Sequence, residues 1–205
     1  MGMYLELTAV TDGTIERLHA DPPLVWQLVT PDEPERVAAA RAESRSRPGL
    51  LARLFGRGAA QPPEPAPPPL ELGPGEGDLG ELGDMEKTWH GVHYLLTGTA
   101  WEGRPPLNFL LAGGREVDIE VGQAPVLTYT HAETRAIATA LSEVSNAELR
   151  ARYDPAEMMR LEIYPEVWDR GSEEDRDNLI NSVASLRELL GIVVGRGYGL
   201  MVTIT

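Results

Sequence analysis

The run Trp-His-Gly-Val-His holds the side chains of this sequence that are best placed to do chemistry. Trp89, His90 and His93 fall within little more than one turn of a helix, where two imidazoles three residues apart can share a ligand or a metal ion. A metal would need a third ligand from a distant acid such as Glu166, and the run contains neither a His-Glu-x-x-His nor a Glu-x-x-His pattern. We therefore expect no metal here, and a histidine pair hydrogen-bonded in the core is the structural alternative to a ligand site.

Gly91 separates the two histidines. Glycine costs a helix about 1 kcal/mol relative to alanine, so its presence suggests that another chain element or a ligand approaches this turn closely. Tyr94 directly follows His93 and joins the candidates for ligand or partner binding.

A second candidate lies in the run Tyr-Pro-Glu-Val-Trp. Tyr164 and Trp168 place Glu166 between two large amphipathic aromatic side chains, on a loop stiffened by Pro165. Such a composition suits the binding of a ligand or another protein. The structural alternative, which we favour, is a tryptophan that anchors the loop in the core. General acid and base roles would need a cleft that a sequence does not reveal.

The composition limits the possible partners. The chain has 205 residues and a formal net charge of -14, which repels phosphate backbones, so we expect no nucleic-acid partner. Cysteine is absent, which excludes disulfides, thiolate nucleophiles and cysteine-bound zinc. The glycine-rich run 195–199 follows a predicted helix and precedes a predicted strand, the reverse of the order in a nucleotide-binding loop. We expect no cofactor.

Neither a membrane span nor an export signal is expected. The longest apolar runs, such as 107–112, fall far below the roughly 20 residues that a bilayer demands. Residues 1–7 lack a basic region and contain Glu6 where a secretory signal would be apolar. We expect a cytoplasmic protein that does not contact a membrane.

Two strands at the ends of the chain frame the predicted core. Residues 3–10 and 200–205 alternate apolar and polar side chains with a period of two. Neither strand can satisfy its backbone groups alone, so we expect the two to pair in one sheet. With helices between them, they predict a single-domain α/β sandwich, in which a small mixed sheet has helices on both faces.

The helix with the histidines is predicted from residue 85 to about residue 98, and its buried face should include Trp89. Shorter helices are predicted at 12–19, 22–28 and 34–42, and short strands at 116–121 and 126–129. Three later helices share a start in which a capping residue precedes an acid: Thr130 with Glu133, Ser145 with Glu148, and Asp154 with Glu157. The last and longest begins at Ser172.

An insertion interrupts the domain at about residues 44–84. It contains a proline-rich run at 61–69 and a glycine-rich acidic run that ends at Asp84. So few apolar groups cannot offset an ordering entropy of about 1–2 kcal/mol per residue. We expect this insertion to be disordered.

The runs that hold the candidate residues resemble the signature of the YfbM-like family. The resemblance rests on residues 86–98, 106–114 and 164–168, and the opening Met-Gly-Met-Tyr-Leu also fits. It covers the chain outside roughly 44–83 and implies one compact α/β domain over 1–205. The family has no established activity, so the resemblance supplies no catalytic residues.

Charge and the lack of a catalytic signature favour a non-catalytic binding protein. Its acidic surface would hold a protein partner or a small ligand, as immunity proteins that neutralise toxins hold theirs. The alternative is a small hydrolase or ligand-binding enzyme whose pocket gathers His90, His93 and the 164–168 loop. A deep cleft that joins these segments would favour the enzyme. A flat acidic face with these side chains buried would favour the binding protein.

Overall fold

The strands at the two ends of the chain pair with each other, as the sequence predicts. In the computed structural model, which describes residues 2–33, 35–46, 68–79, 83–170 and 172–205, β1 (Leu5–Val10) lies antiparallel to β5 (Gly199–Ile204). Leu5 is opposite Ile204, and the main-chain N–H of Tyr4 donates to the oxygen of Thr205 at 2.9 Å. Each of the two strands therefore satisfies the backbone groups of the other.

Three shorter strands complete the sheet. They are β2 (Gly77–Asp78), β3 (Arg115–Val117) and β4 (Val126–Tyr129), and the spatial order is β2-β1-β5-β4-β3. Every pairing between these strands is antiparallel, which corrects the expectation of a mixed sheet. Although helices connect several of the strands, the chain re-enters the sheet in the opposite direction to each neighbour, so no described crossover builds a parallel pair.

Helices cover both faces of the sheet and confirm the predicted α/β architecture. Side chains alternate along β1, so that Leu5 and Leu7 face one apolar core and Val10 faces another. The first core receives α4 to α8 and the second receives α1 to α3. The helices are α1 (Asp12–Ala20), α2 (Trp26–Val29), α3 (Glu35–Ser46), α4 (Trp89–Thr97), α5 (His131–Glu143), α6 (Asn146–Arg152), α7 (Pro155–Arg160) and α8 (Glu173–Gly195), with 3₁₀ turns at Pro22–Val25 and Trp168–Arg170.

The predicted helix caps are present. Thr130 accepts a hydrogen bond from the main-chain N–H of Glu133, whose carboxylate accepts one from the N–H of Thr130, and Ser145 and Glu148 repeat this capping box. Asp154 caps α7, and Ser172 caps α8. Four apolar side chains at helical spacing on α8 are buried: Leu179, Val183, Leu186 and Leu190.

The predicted insertion is only partly described. Residues 47–67 and 80–82 lie outside the described residues, and α3 includes residues 44–46. The described stretch 68–79 contains β2, which pairs with β1, and Gln27 accepts a hydrogen bond from the main-chain N–H of Leu70 at 2.7 Å. The stretch 68–79 therefore contacts β1 and the rest of the domain, and the expectation of disorder stays a prediction for the residues outside the described ranges.

Glu76, within this stretch, caps the start of α1. Its Oε1 accepts hydrogen bonds from the main-chain N–H of Thr11 and the hydroxyl of Thr14, both at 2.6 Å. Burial alone would raise the pKa of Glu76, but the hydrogen bonds from Thr14, Thr11 and Gly73 outweigh it and lower the pKa. The negative charge of a carboxylate at a helix N-terminus also interacts favourably with the positive end of the helix dipole.

The chain between α4 and α5 forms less strand than expected. β3 ends at Val117, where the sequence predicted a strand over 116–121, while β4 has the predicted bounds. The chain passes directly over β5, because a Cβ at Gly122 would lie 2.0 Å from the main-chain oxygen of Ile204. The main-chain N–H of Gln123 donates to this same oxygen at 2.9 Å, so the chain at 122–123 contacts the end of β5. Residues 107–111 form consecutive turns that bury Phe109.

None of the helices in the described ranges is long and apolar enough to cross a bilayer.

Candidate functional site

The helix that carries the two histidines, α4, is buried on every side. All residues from Trp89 to Leu96 are buried, and α4 ends at Gly98, which adopts a left-handed conformation with φ 75°. Trp89 is 1% exposed, in agreement with the sequence prediction that it belongs to the core. A helix that is apolar all round packs against neighbours on all faces, and α4 accordingly contacts α6 and α8.

His90 makes hydrogen bonds through both ring nitrogens. Its Nε2 lies 2.8 Å from the main-chain oxygen of Ala100, and its Nδ1 lies 2.9 Å from the main-chain nitrogen of Tyr164. Because the Tyr164 N–H can only donate, Nδ1 must accept and the proton must be on Nε2. Burial lowers the pKa of His90, although its hydrogen bond to Ala100 opposes that shift. The imidazole is therefore neutral and has no nitrogen left for a ligand.

His93 makes a single hydrogen bond, between Nε2 and the main-chain oxygen of Glu102, at 2.8 Å. Its Nδ1 is buried and has no hydrogen-bond partner among the described residues. The pKa of His93 is lowered from 6.5 to about 4, chiefly by burial and also by the neighbouring His90, while the hydrogen bond to Glu102 acts in the opposite direction. Both imidazoles are 0% exposed, as in the structural alternative of a histidine pair hydrogen-bonded in the core.

Gly91 lets another part of the protein approach α4. A Cβ at this position would lie 2.8 Å from Cδ2 of Leu179 and 3.0 Å from Cη2 of Trp168. The close approach that the sequence predicted at Gly91 is thus made by α8 and by the 164–168 loop. The space beside Gly91 is therefore filled by the side chains of Leu179 and Trp168.

The 164–168 loop is anchored in the core by Trp168. That side chain is 4% exposed, and its Nε1 donates to the main-chain oxygen of Ile163 at 2.6 Å. The hydroxyl of Tyr164 accepts from the main-chain N–H of Met3 at 3.0 Å. Glu166 is exposed, has a positive φ of 61°, and donates its main-chain N–H to Ile163 at 2.9 Å. The anchoring role that we favoured for Trp168 is confirmed.

Tyr94 is 6% exposed and lies on α4 close to the start of α7. Burial raises the pKa of its hydroxyl, and the negative charges of Asp154 and Glu157 raise it further, while Arg160 acts in the opposite direction. The hydroxyl is therefore protonated at neutral pH.

Trp101 covers the outer side of His90. The two ring centroids are 4.4 Å apart, and Trp101 also lies 6.4 Å from Trp89. Trp89 stacks on His90, with centroids 4.8 Å apart and ring planes 10° apart, and Tyr164 joins this cluster of rings at 5.9 Å from Trp89. Trp101 is 55% exposed, so the cluster extends from the core to the surface.

A small cavity lies beyond the loop that the two histidines hold. His90 and His93 fix the loop at Ala100 and Glu102, and the residues that follow form one wall of the cavity, whose volume is about 180 Å³. Its lining consists of Pro105, Pro106, Asn108, Gly113, Tyr129, Glu133, Ala136 and Ile137. The Tyr129 hydroxyl contacts the main-chain oxygens of Phe109 at 2.7 Å and Ala112 at 2.9 Å, which fixes the cavity floor.

Wider clefts lie elsewhere on the surface. One of about 610 Å³ is lined by residues that include Tyr4, Trp26 and Arg36, and the Arg36 guanidinium lies 4.8 Å from the centre of the Trp26 ring. Another, of about 500 Å³, follows the acidic stretch 116–125. Within the described ranges, no group of three or more histidine, aspartate or glutamate side chains is placed to hold a metal ion.

Comparison with known families identifies the chain. The sequence profile described as "Domain of unknown function (DUF1877)" matches residues 1–203. The chain belongs to the DUF1877 family. This result confirms the resemblance to YfbM-like proteins that residues 86–98, 106–114 and 164–168 carry.

A solved structure has the same fold as this DUF1877 domain. It is the crystal structure of YfbM from Escherichia coli, described as a protein of unknown function, with a TM-score of 0.60 and 16% sequence identity over 100% of both chains. At that identity the likeness concerns the fold alone. No curated protein matches the chain.

The candidate residues of the DUF1877 domain fall into two groups. Trp89, His90, Tyr164 and Trp168 meet in one cluster at α4, whereas Glu166 is exposed on the rim of its loop. Sequence reasoning missed Trp101 and Asn108. The sequence signal that could have identified Trp101 is its position. It is a large aromatic residue in the short stretch 98–103, which glycines flank and which contains few apolar residues that could bury it.

Proposed function

We propose that this DUF1877 protein is a non-catalytic binding protein whose acidic surface holds a basic protein partner. The exposure of Trp101 is the observation that carries the proposal. More than half of this indole is exposed, and its inner face rests on His90, which is itself hydrogen-bonded on both sides. Exposed, rigidly supported tryptophans are over-represented among the residues that contribute most to protein interfaces.

Charge supports a basic partner. Glu102 adjoins Trp101 and is exposed, and the exposed Glu162 and Glu166 flank Tyr164, whose main chain contacts the same imidazole as Trp101. The chain as a whole carries a formal net charge of -14. Such a field speeds the approach of a cationic surface and disfavours acidic partners.

The state of the histidines favours binding over catalysis. The alternative function, a small hydrolase or ligand-binding enzyme at the Trp89–His93 turn, needs an imidazole that a substrate can reach. Both imidazoles are fully buried and hydrogen-bonded to main-chain oxygens of the 98–104 loop. A substrate would reach them only after that loop had moved.

The test combines partner capture with a matched pair of surface variants. Proteins retained from a bacterial lysate by the immobilised chain are identified, purified and titrated against wild type, Trp101→Ala and Leu72→Ala. Leu72 is the control because it is another exposed apolar side chain, at 42%.

We expect a basic partner whose affinity falls with added salt and falls about 30-fold in Trp101→Ala, while Leu72→Ala binds like wild type. A partner that binds Trp101→Ala as tightly as wild type, or whose affinity does not depend on salt, would contradict the proposal. Turnover of a hydrolase substrate that His90→Ala abolishes in a folded variant would favour the enzyme instead.

A further inference from the structure

The small cavity beside the 98–104 loop is lined by a largely buried side chain that has no protein partner. Asn108 is 6% exposed and lines the cavity, and its side-chain amide makes no hydrogen bond to any described residue. A primary amide offers two donors and an acceptor oxygen. Its polar atoms are not among the fully buried ones that lack a partner, so the cavity gives access to them and a ligand that enters it can bind the amide.

Gly113 keeps this amide accessible. A Cβ at residue 113 would lie 3.2 Å from Oδ1 of Asn108, and the φ of 94° at Gly113 is one that other residues rarely adopt. A side chain at residue 113 would crowd the amide oxygen of Asn108, and glycine has none.

Glu133 places a negative charge at the mouth of the cavity. Its Oε2 accepts two hydrogen bonds from Thr130 at the start of α5, from the main-chain N–H at 2.8 Å and from the hydroxyl at 2.7 Å. Its Oε1 makes no hydrogen bond to another described residue. The capping box thus fixes the carboxylate while one oxygen stays available for a donor.

We propose that this cavity binds a guanidinium group carried on a short apolar stem. The guanidinium would donate to Oδ1 of Asn108 and to Oε1 of Glu133, and the stem would pack against Pro106 and Ile137. A planar guanidinium has five N–H donors in a fixed geometry, which suits it to two acceptors better than an ammonium ion. A carboxylate ligand is disfavoured, because Glu133 would repel it.

The size of the cavity fits this group. Its volume of about 180 Å³ is close to that of an engineered cavity of about 150 Å³ that holds benzene, so it accommodates roughly seven non-hydrogen atoms. Propylguanidine has that size. The same chemistry occurs in free small molecules and in arginine side chains of other proteins. This cavity and the Trp101 surface are separate features, so either proposal can fail alone.

Two small molecules of the same shape provide the first test. The isotope-labelled protein is titrated with propylguanidine and, separately, with the neutral N-propylurea, while amide shifts are followed by NMR. We expect propylguanidine to shift residues around Asn108 and Gly113, with a dissociation constant on the order of millimolar, and N-propylurea to bind about tenfold more weakly. Equal affinity for the two, or shifts scattered over the acidic surface, would overturn the proposal.

Variants then separate the cavity from general attraction to an acidic protein. Glu133→Gln removes the charge but can still cap α5, and Glu148→Gln makes the same change in the capping box of α6. We expect Glu133→Gln to weaken propylguanidine binding about fivefold or more, and Glu148→Gln to leave it unchanged. Equal effects of the two changes would show attraction by net charge alone and overturn the proposal.

Asn108→Leu should abolish binding of propylguanidine, because it removes the acceptor at similar volume. Since that variant alters a buried position, Ala136→Leu at the exposed edge of the cavity serves as a second one that blocks the entrance without touching the core. Unchanged binding in a folded Ala136→Leu variant would overturn the site. A blocked Gly-Arg-Gly peptide identifies the source of the ligand: binding with the same variant pattern indicates an arginine side chain, and binding of propylguanidine alone indicates a free small cation.

Discussion

The main-chain N–H of Tyr164 donates a hydrogen bond to Nδ1 of His90 at 2.9 Å, and it joins the two segments that hold the candidate residues. The opposite nitrogen of the same ring holds Ala100 in the loop after α4. A single imidazole therefore connects three stretches of chain. Both ring nitrogens of His90 are used in this connection, and the ring also packs against Trp101.

Replacement of His90 should cost stability. His90→Ala leaves the N–H of Tyr164 and the oxygen of Ala100 without partners and creates a cavity, so we expect the free energy of unfolding to fall by about 2–4 kcal/mol. His90→Asn places an amide oxygen near the position of Nδ1 and should recover part of that loss. Urea denaturation of the three proteins measures both effects. A loss below about 0.5 kcal/mol in His90→Ala would show that these hydrogen bonds contribute little.

His93 should make stability depend on pH. Burial lowers its pKa from 6.5 to about 4 in the folded state, so between these values the unfolded chain binds a proton that the folded chain does not. Its contribution is therefore complete above pH 6.5 and is lost progressively as the pH falls towards 4, by about 3 kcal/mol in total.

His93→Gln isolates that contribution. Glutamine can still donate a hydrogen bond to the oxygen of Glu102 but does not titrate, and the carboxylates that titrate in the same range are common to both proteins. Unfolding free energies of wild type and His93→Gln, measured from pH 4 to 8, should converge as the pH falls. A difference that stays constant over this range would exclude a depressed pKa at His93.

A matched pair of glycines tests the packing on α4. Gly91→Ala places a methyl group 2.8 Å from Leu179, so we expect a loss of about 1–3 kcal/mol despite the better helix propensity of alanine. Gly191→Ala, on the exposed side of α8, meets no atom within 4 Å and should stabilise the protein by up to about 1 kcal/mol. Thermal or urea unfolding of both variants gives the comparison. Stabilisation by Gly91→Ala would mean that Leu179 and Trp168 can move aside.

Glu76 should contribute more stability than its neighbours in the chain. Glu76→Ala removes three acceptor contacts, to Thr11, Thr14 and Gly73, and we expect a loss of about 1–3 kcal/mol. Glu71→Ala changes an exposed side chain of the same stretch and should alter stability by less than about 0.5 kcal/mol. Equal effects in a denaturation series would show that the stretch 68–79 does not hold α1.

Sequence-local features were predictable and long-range ones were not. The Thr130–Glu133 and Ser145–Glu148 boxes could be identified because both partners lie within one turn of chain. The contact of Glu76 with Thr11 spans 65 residues and leaves no local pattern. Composition also suggested that the whole of 44–84 lacks structure, although 68–79 gains its order from α1 and β1 and not from its own apolar content.

The partners of the two histidines show the same limit at the site. Both imidazoles bind main-chain oxygens, at Ala100 and Glu102, and every residue carries such an oxygen, so side-chain types could not identify the partners. The spacing of His90 and His93 correctly indicated neighbouring positions on one helix. The spacing could not show whether the two imidazoles bind one ligand or, as observed, one loop of the protein.

The pairing of β1 with β5 sets a delay on folding during synthesis. Ile204 is added 199 residues after its partner Leu5, which takes roughly 10–40 s at about 5–20 residues per second. Through that interval the apolar face of β1 has no β5 to pair with, and the central pair of the sheet cannot close. The helices between the two strands can form first, so the apolar face of β1 stays unpaired on the nascent chain until β5 has been synthesised.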